Sequence, residues 1–186
     1  MTEGYVTTLF PELYEIRNQD LRKKSIQALI LAAEKGGWTE ETIHLVPVTL
    51  NWAGCSCNLI AHIRMVTQVC IDSYQRLAPG YAANGVMLDR DLVVCGALLH
   101  DIGKFTEFSL KDGKPVHSET AELLRHPLAG ALMANQIGLP DKIVHLIATH
   151  SFEGERSAQT PESEFVRKLD MFVFESSVCG LEKIKK

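Results

Sequence analysis

Apolar residues recur every three to four positions over most of this chain, which is the spacing of one face of an α-helix. In residues 20–35, for example, Ile26, Ile30 and Ala33 lie on one stripe, and Asp20 is placed to cap the first turn. The same pattern predicts further helices over residues 58–76, 89–101, 126–136, 141–150 and 162–176. Few segments alternate with the period of a strand, so we predict an all-α fold with little or no sheet.

The predicted helix 89–101 differs from the others because it is apolar nearly all round, from Leu92 to Leu99. A helix without a polar face is buried, so we expect this one at the centre of the fold. Residues 78–87 contain proline and two glycines and are predicted to be a connection. The polar segment 102–125 is predicted to be a long loop, with a small hairpin around residues 105–117.

Composition places the chain among soluble globular proteins, with 46% hydrophobic and 23% charged residues in a length of 186. We predict one domain, residues 1–186. The net charge of −4 does not favour a nucleic-acid-binding surface. No apolar run is long enough to span a membrane and the start is unlike a signal peptide, so a cytoplasmic location is expected.

Cysteine usage agrees with that location. The five cysteines are an odd number, which favours reduced thiols over a disulfide framework. Cys55 and Cys57 lie close together, but no second pair is present that would complete a structural zinc site. We interpret these two as small residues near the start of a helix.

The dipeptide His100-Asp101 ends the most apolar predicted helix, where an ionisable pair is costly unless it binds a partner. Other histidines and one carboxylate occur where helices could bring them to the same point. A buried carboxylate needs a cation, so the set predicts a metal site. One ion needs four of these groups, and a second ion, bridged to the first by Asp101, would need all six: His62, His100, Asp101, His126, His150 and Asp170.

Imidazole and carboxylate ligands together suit iron, manganese, nickel, cobalt or zinc, and the lack of thiolates argues against a structural zinc site. We therefore predict one or two divalent transition-metal ions. The assignment of His150 rests on its place at the end of a predicted helix, and His145 is the reserve candidate.

This ordered pattern resembles the HD superfamily of metal-dependent phosphohydrolases, and the run from Leu98 to Lys104, Leu-Leu-His-Asp-Ile-Gly-Lys, is close to the signature of that family. The resemblance covers residues 58–176 and implies a core bundle of about five helices. Residues 1–57 lie outside it, and we predict that they form extra N-terminal helices packed on that core. Where the family often has an arginine, this chain has Met65, with Arg64 one position earlier.

The resemblance implies hydrolysis of a phosphomonoester or phosphodiester in a small, nucleotide-like molecule by a metal-activated water. Asp101 and Lys104 are the predicted catalytic residues, and Lys104 and Arg125 are the predicted substrate contacts. Further candidates are proton donors for the leaving group (Glu107, Lys111, Lys114 and His117) and residues that contact the rest of the substrate (Asn51 and Trp52).

Two other functions fit the same residues. Some members of the superfamily hold two irons in this arrangement and use dioxygen, so a di-iron oxygenase is an alternative. A regulatory module that binds metal without turnover is another, although the retention of all six candidate ligands counts against it. The expected partner is a small phosphorylated molecule, and apolar residues in the first predicted helix leave a homodimer open.

Overall fold

The structure, a computed structural model, describes residues 1–184. Within that range one antiparallel hairpin, β1 (Phe108–Lys111) with β2 (Lys114–His117), accompanies a set of helices. The predicted all-α fold is confirmed. The helices in chain order are α1 (Glu3–Leu9), α2 (Gln19–Lys35), α3 (Leu59–Ala83), α4 (Arg90–Leu99), α5 (Lys104–Glu107), α6 (His126–Ile137), α7 (Asp141–Thr149) and α8 (Pro161–Val178).

Helix α4 lies at the centre of the bundle, as its apolar sequence predicts. Every residue from Leu92 to Leu99 is buried, and the helix packs against α2, α3, α7 and α8. The side chain of Asp89 caps its start by accepting hydrogen bonds from the backbone N–H groups of Asp91 and Leu92. The end of α4 is therefore held deep in the protein, and the dipeptide that follows it is buried there.

Helix α3 runs further than its sequence pattern predicts. It continues through Pro79 to Ala83, so the predicted connection 78–87 is wrong in its first half. A proline inside a helix removes one backbone donor, which is costly where the freed carbonyl is buried. Gln75, whose carbonyl would accept from position 79, is exposed, and the last turn of the helix tolerates the loss.

The cap of α2 also differs from the prediction. Asn18, not Asp20, accepts the hydrogen bond from the backbone N–H of Leu21. Asp20 lies in the first turn, where its charge is favourable, and forms an ion pair with Lys24 at 2.8 Å. Asparagine and aspartate both cap helices well, so the apolar spacing does not distinguish Asn18 from Asp20. The predicted cap therefore lies two residues too late.

The segment 102–125 is more ordered than a long loop. It contains the short helix α5 and the predicted hairpin, whose turn is formed by Asp112 and Gly113 with φ of 51° and 73°. Two consecutive positive φ values match the twist of paired strands, and Asp-Gly is favoured in such turns. The longest stretch of turns and irregular backbone in this segment lies between β2 and α6.

Residues 1–57 contribute directly to the main buried cluster. Val6, Phe10 and Leu13 belong to the same hydrophobic core as Leu98 and Leu99 of α4. The division into an N-terminal extension, 1–57, and a core, 58–176, stays a prediction, as do the cytoplasmic location and the homodimer.

Gly103 allows the start of α6 to approach the end of α4 closely. A Cβ atom at Gly103 would lie 2.0 Å from the carbonyl oxygen of His126 and 2.8 Å from the backbone nitrogen of Gly130. Both neighbours are backbone atoms that cannot move aside independently. The absence of a side chain at position 103 is therefore what brings His126 to the buried dipeptide.

Two further features bear on the class of protein. None of the helices within residues 1–184 combines the length and the apolar character needed to cross a membrane. The five cysteines are free thiols, as predicted; Cys70 and Cys95 are buried, and burial raises the pKa of the Cys95 thiol to about 12.

Candidate metal centre

The six side chains predicted as ligands meet at one point inside the bundle, and they form two groups of three. Within each group the potential ligand atoms all lie within 4.8 Å of one another. We call His62, His100 and Asp170 the first ligand group, and Asp101, His126 and His150 the second ligand group. Their role as metal ligands stays a prediction, but the structure brings all six together.

The ligands come from the ends and inner faces of five different helices. His62 lies in the first turn of α3, and Asp170 lies on the buried side of α8. His126 is the first residue of α6. His100 and His150 directly follow α4 and α7, and Asp101 comes one residue after His100. The two histidines at helix ends and the two near helix starts converge without distorting any helix.

The first ligand group is tightly spaced. Nε2 of His62 lies 3.0 Å from Oδ1 of Asp170 and 3.4 Å from Nε2 of His100. Nε2 of His100 lies 3.5 Å from the same Asp170 oxygen. Three donor atoms facing one another at this spacing can surround a single ion with small adjustments.

Asp101 directs one carboxylate oxygen to each group. Its Oδ1 lies 3.4 Å from Nε2 of both His126 and His150. Its Oδ2 lies 3.4 Å from Nε2 of both His62 and His100. This geometry is the one required of a carboxylate that bridges two ions.

Hydrogen bonds fix which ring nitrogen of three histidines faces the centre. Nδ1 of His100 and Nδ1 of His150 each lie 2.7 Å from a backbone carbonyl, of Ala97 and Ile147 respectively. Nδ1 of His126 lies 2.7 Å from the Glu107 carboxylate. When Nδ1–H donates outward, the lone pair of Nε2 points inward, which is the tautomer that a metal needs.

The buried charges shift one another's pKa values strongly. Burial opposes ionisation of Asp101, but the Lys104 ammonium and His100 hold its pKa well below the usual range. Burial likewise disfavours charge on His100, yet the carboxylates of Asp101 and Asp170 raise its pKa to about 10. For His62 and His126 burial dominates and lowers the pKa. The carboxylates are thus anionic, and two of the imidazoles favour the neutral form that binds metal.

Buried polar atoms without hydrogen-bond partners indicate that the six candidate ligands fit divalent metal ions. Within residues 1–184, neither oxygen of Asp101 accepts a well-oriented hydrogen bond, although Lys104 Nζ forms an ion pair with Oδ2 at 2.8 Å. Asp101 is 1% exposed, and an anion this buried is costly without more compensation. Nitrogen and oxygen donors without thiolates match the transition metals predicted from the sequence.

A cavity of about 320 Å³ opens directly onto the two ligand groups. Both predicted substrate contacts, Lys104 and Arg125, line it. The guanidinium of Arg125 lies 4.6 Å from the centre of the Phe152 ring and forms an ion pair with Glu153 at 2.6 Å. The centre therefore adjoins a cavity that is large enough for a small molecule and is lined by cationic side chains.

Several other candidates lie elsewhere. Lys111, Lys114 and His117 are exposed on the hairpin and do not line this cavity, so the structure does not support them as proton donors. Asn51 lines the cavity, whereas Trp52 lines an adjoining one.

The sequence left open the choice between His145 and His150 and the role of Arg64. Among the described residues, the group around Asp101 includes His150, and His145 belongs to neither ligand group. Arg64 forms an ion pair with Glu12 at 3.0 Å and does not line the cavity.

Two features of the site were not apparent from the sequence. Glu107 serves as the partner of His126, although the sequence suggested only a proton donor in a loop. Lys183 lines the cavity and belongs to a C-terminal segment that pairs with residues 51–53. In this pairing the backbone N–H of Ala53 donates to the carbonyl of Glu182 at 2.9 Å, and the N–H of Ile184 donates to the carbonyl of Asn51 at 2.8 Å. Both contacts depend on tertiary packing, and no local motif marks them.

Comparisons with known proteins agree with this geometry. The HD domain family matches residues 59–173, more than half of the chain. The chain is 30% identical over 154 residues to the dihydroneopterin 2',3'-cyclic phosphate phosphodiesterase of Methanocaldococcus jannaschii, covering 80% of this chain and 59% of that protein. It is 32% identical over 94 residues to ribonuclease Y of Thermotoga petrophila and Thermotoga maritima, covering 50% of this chain and 16% of each enzyme.

The chain thus spans 59% of the length of the archaeal relative and a much smaller part of the bacterial ones. No solved structure matches the chain at a significant level.

Proposed function

Because the chain belongs to the HD-domain family, we propose that it is a metal-dependent phosphohydrolase whose two ligand groups each hold one divalent ion. The observation that carries this proposal is the position of Asp101, which directs one oxygen toward each group at the base of an open cavity. The archaeal relative named as a phosphodiesterase supports the same reaction class.

Divalent ions bound here would lower the pKa of water to give a nucleophile near neutral pH and would offset charge on the attacked phosphoryl group. The chain's own residues set the geometry. The outward hydrogen bonds of His100 and His150 hold their Nε2 atoms toward the centre. Asp101 fixes the separation of the two groups by offering one oxygen to each.

Lys104 places a positive side chain beside the two ligand groups. Its ammonium lies 2.8 Å from Asp101 Oδ2, it is 8% exposed, and it lines the cavity. A cation held in so buried a place stabilises developing negative charge more strongly than one in water. We assign Lys104 to binding a phosphoryl oxygen in the transition state, and Arg125 at the cavity entrance to binding the substrate.

We do not assign Glu107, a candidate from the sequence, as the proton donor for the leaving group. One of its oxygens accepts from both the backbone N–H and the ring Nδ1–H of His126, at 3.0 and 2.7 Å. Burial opposes ionisation of Glu107, but the hydrogen bonds from His126 lower its pKa, so it carries no proton to give at neutral pH.

We propose a small nucleotide-like phosphodiester, rather than a polynucleotide, as the substrate. The cavity volume of about 320 Å³ lies at the small end of the range for small-molecule sites. Phe152 and Phe174 contribute aromatic rings to the lining of the cavity, while Lys104, Arg125 and Lys183 contribute positive charge for the phosphate. The name of the archaeal relative, a cyclic phosphate phosphodiesterase, points to the same class. The net charge of −4 does not favour a long nucleic acid.

The first test is the metal content of the purified protein, followed by activity with defined metals. We expect about two equivalents of a transition metal per chain, such as iron or manganese. The loaded protein is then offered nucleoside 2',3'-cyclic phosphates, a nucleoside monophosphate and a short RNA, with chelated protein as the control. Cleavage of the cyclic phosphates alone supports the proposal, and cleavage of the RNA alone contradicts the substrate class.

The alternatives predict different results in the same experiment. A di-iron oxygenase would consume dioxygen in an iron-dependent reaction and leave phosphoesters intact. A regulatory module would bind metal without turning over any substrate. A chain that takes up no metal at all would contradict the enzyme proposal as a whole.

A further inference from the structure

Glu107 is placed to control one of the two ligand groups and not the other. The residue is 9% exposed and lies at the end of α5, nineteen positions before His126 in the chain. One carboxylate oxygen, Oε2, accepts both the ring Nδ1–H and the backbone N–H of His126, at 2.7 and 3.0 Å. Glu107 therefore fixes both the ring and the backbone of one candidate ligand.

The backbone contact matters because α6 begins at His126 without a local cap. Arg125, the residue before the helix, makes no side-chain hydrogen bond to the first turn, and Pro127 follows His126. The Glu107 carboxylate instead accepts from the first N–H of the helix, where negative charge is favoured. The orientation of this helix end therefore depends on a side chain that comes from α5.

The other histidines are oriented differently. His100 and His150 donate from Nδ1 to backbone carbonyls of their own helices, and Nδ1 of His62 has no partner within residues 1–184. Among the described residues, His126 is the histidine of the centre whose outward nitrogen is paired with an ionised side chain. An anionic partner makes an imidazole a stronger metal ligand and locks its tautomer.

From this asymmetry we infer that Glu107 is a positioning residue that selectively strengthens binding of the ion held by the second ligand group. The ion held by His62, His100 and Asp170 does not depend on it. The inference rests on the proposed function, since it requires that both groups bind metal. A substitution at Glu107, in the segment between α4 and α6, should therefore lower the affinity for one ion more than the affinity for the other.

The test is a titration of metal-free protein with Mn²⁺, measuring the number of ions bound and the affinity of each. In Glu107→Gln we expect one ion to bind as in the unmodified chain and the other to bind about 10- to 100-fold more weakly. Glu119→Gln, an exposed carboxylate on the same connecting segment, is the matched control and should leave both affinities unchanged.

A second variant identifies which ion is affected. His150→Ala removes a ligand of the second group and should leave one ion, held by the first group. Adding Glu107→Gln to His150→Ala should not weaken that remaining ion. A further loss of affinity in the double variant would contradict the selectivity that we infer.

The remaining outcomes separate this inference from the proposed function. Two ions bound by Glu107→Gln with unchanged affinities would overturn the role of Glu107 while leaving the phosphohydrolase proposal intact. No metal bound by the unmodified chain would overturn the proposed function itself. If Glu107→Gln does not fold, Glu107→Asp keeps the charge but shortens its reach, and it should also weaken one ion selectively; equal weakening of both ions would count against the inference.

Discussion

Asp101 lies between the two ligand groups, and each of its oxygens faces a different pair of histidines. Asp101→Asn keeps the shape but removes the charge and replaces one oxygen by a donor nitrogen. We expect bound metal to fall from about two ions per chain to one at most, and activity to fall at least about 100-fold. Elemental analysis and kcat measure both effects.

The matched control is Asp72→Asn, which changes an exposed carboxylate on α3. It should leave both the metal content and kcat unchanged. Two bound ions with full activity in Asp101→Asn would contradict the bridging role.

The second prediction concerns Lys104, whose substitution should slow the reaction without changing the metal content. Lys104→Met keeps most of the side-chain volume but removes the ammonium beside Asp101. We expect the metal content to stay the same and kcat to fall about 100-fold, because the charge is needed most in the transition state. Lys111→Met, on the exposed hairpin, is the control and should behave as the unmodified chain. Loss of metal in Lys104→Met would instead indicate a role in holding Asp101.

The candidate ligands could be located from the sequence because a buried ionisable residue in an apolar helix stands out against its neighbours. All six lie where the pattern predicted, and His150 was preferred over His145 for its place at a helix end. The outward partners of the histidines could not be found in the same way. Glu107 has no unusual neighbours in the chain, and it meets His126 only because the hairpin folds back.

The third prediction concerns the packing between helices, where Gly103 lies against the start of α6. Gly103→Ala places a Cβ atom 2.0 Å from the His126 carbonyl oxygen, so the backbone must shift. We expect the free energy of unfolding to fall by about 3 kcal/mol, measured by urea denaturation. The shift should also displace His126 and weaken metal binding by the second ligand group.

Gly80→Ala is the matched control for that substitution. Gly80 lies within α3, and a Cβ atom there would meet nothing within 4 Å. We expect it to stabilise the protein by about 0.5 to 1 kcal/mol, since alanine favours a helix over glycine. A neutral Gly103→Ala would mean that α6 can retreat without cost.

Helices were predicted well where an apolar stripe was long, and poorly at their ends. The central α4 is apolar on all sides and was placed correctly, whereas α3 ran past Pro79 and α2 began at a different cap. Helix ends depend on whether a freed carbonyl meets water or protein, and that is decided by tertiary packing. The hairpin was predictable because Asp112-Gly113 favours one kind of turn.

In the folded chain as a whole, the two ligand groups join α3, α4, α6, α7 and α8, so bound metal should stabilise the entire fold. At concentrations about 1,000 times Kd, one ion contributes about 4 kcal/mol. Two such ions contribute about 8 kcal/mol, so for a protein of this size the loss of both lowers Tm by about 16 to 32 °C. We expect this change when a chelator is added, measured by differential scanning calorimetry.

The same chelator should change Tm less in Asp101→Asn, because fewer ions are bound at the start. An identical Tm with and without chelator in the unmodified chain would show that the six side chains do not hold metal in the native state.

The arrangement of the ligands along the chain also has a consequence for synthesis on the ribosome. The second ligand group is complete once residue 150 has been added, whereas the first group lacks Asp170 until α8 has been made. The donors of the second group are therefore all present in a nascent chain before those of the first group. A translation product that stops before α8 would carry the donors for one ion but not for its neighbour.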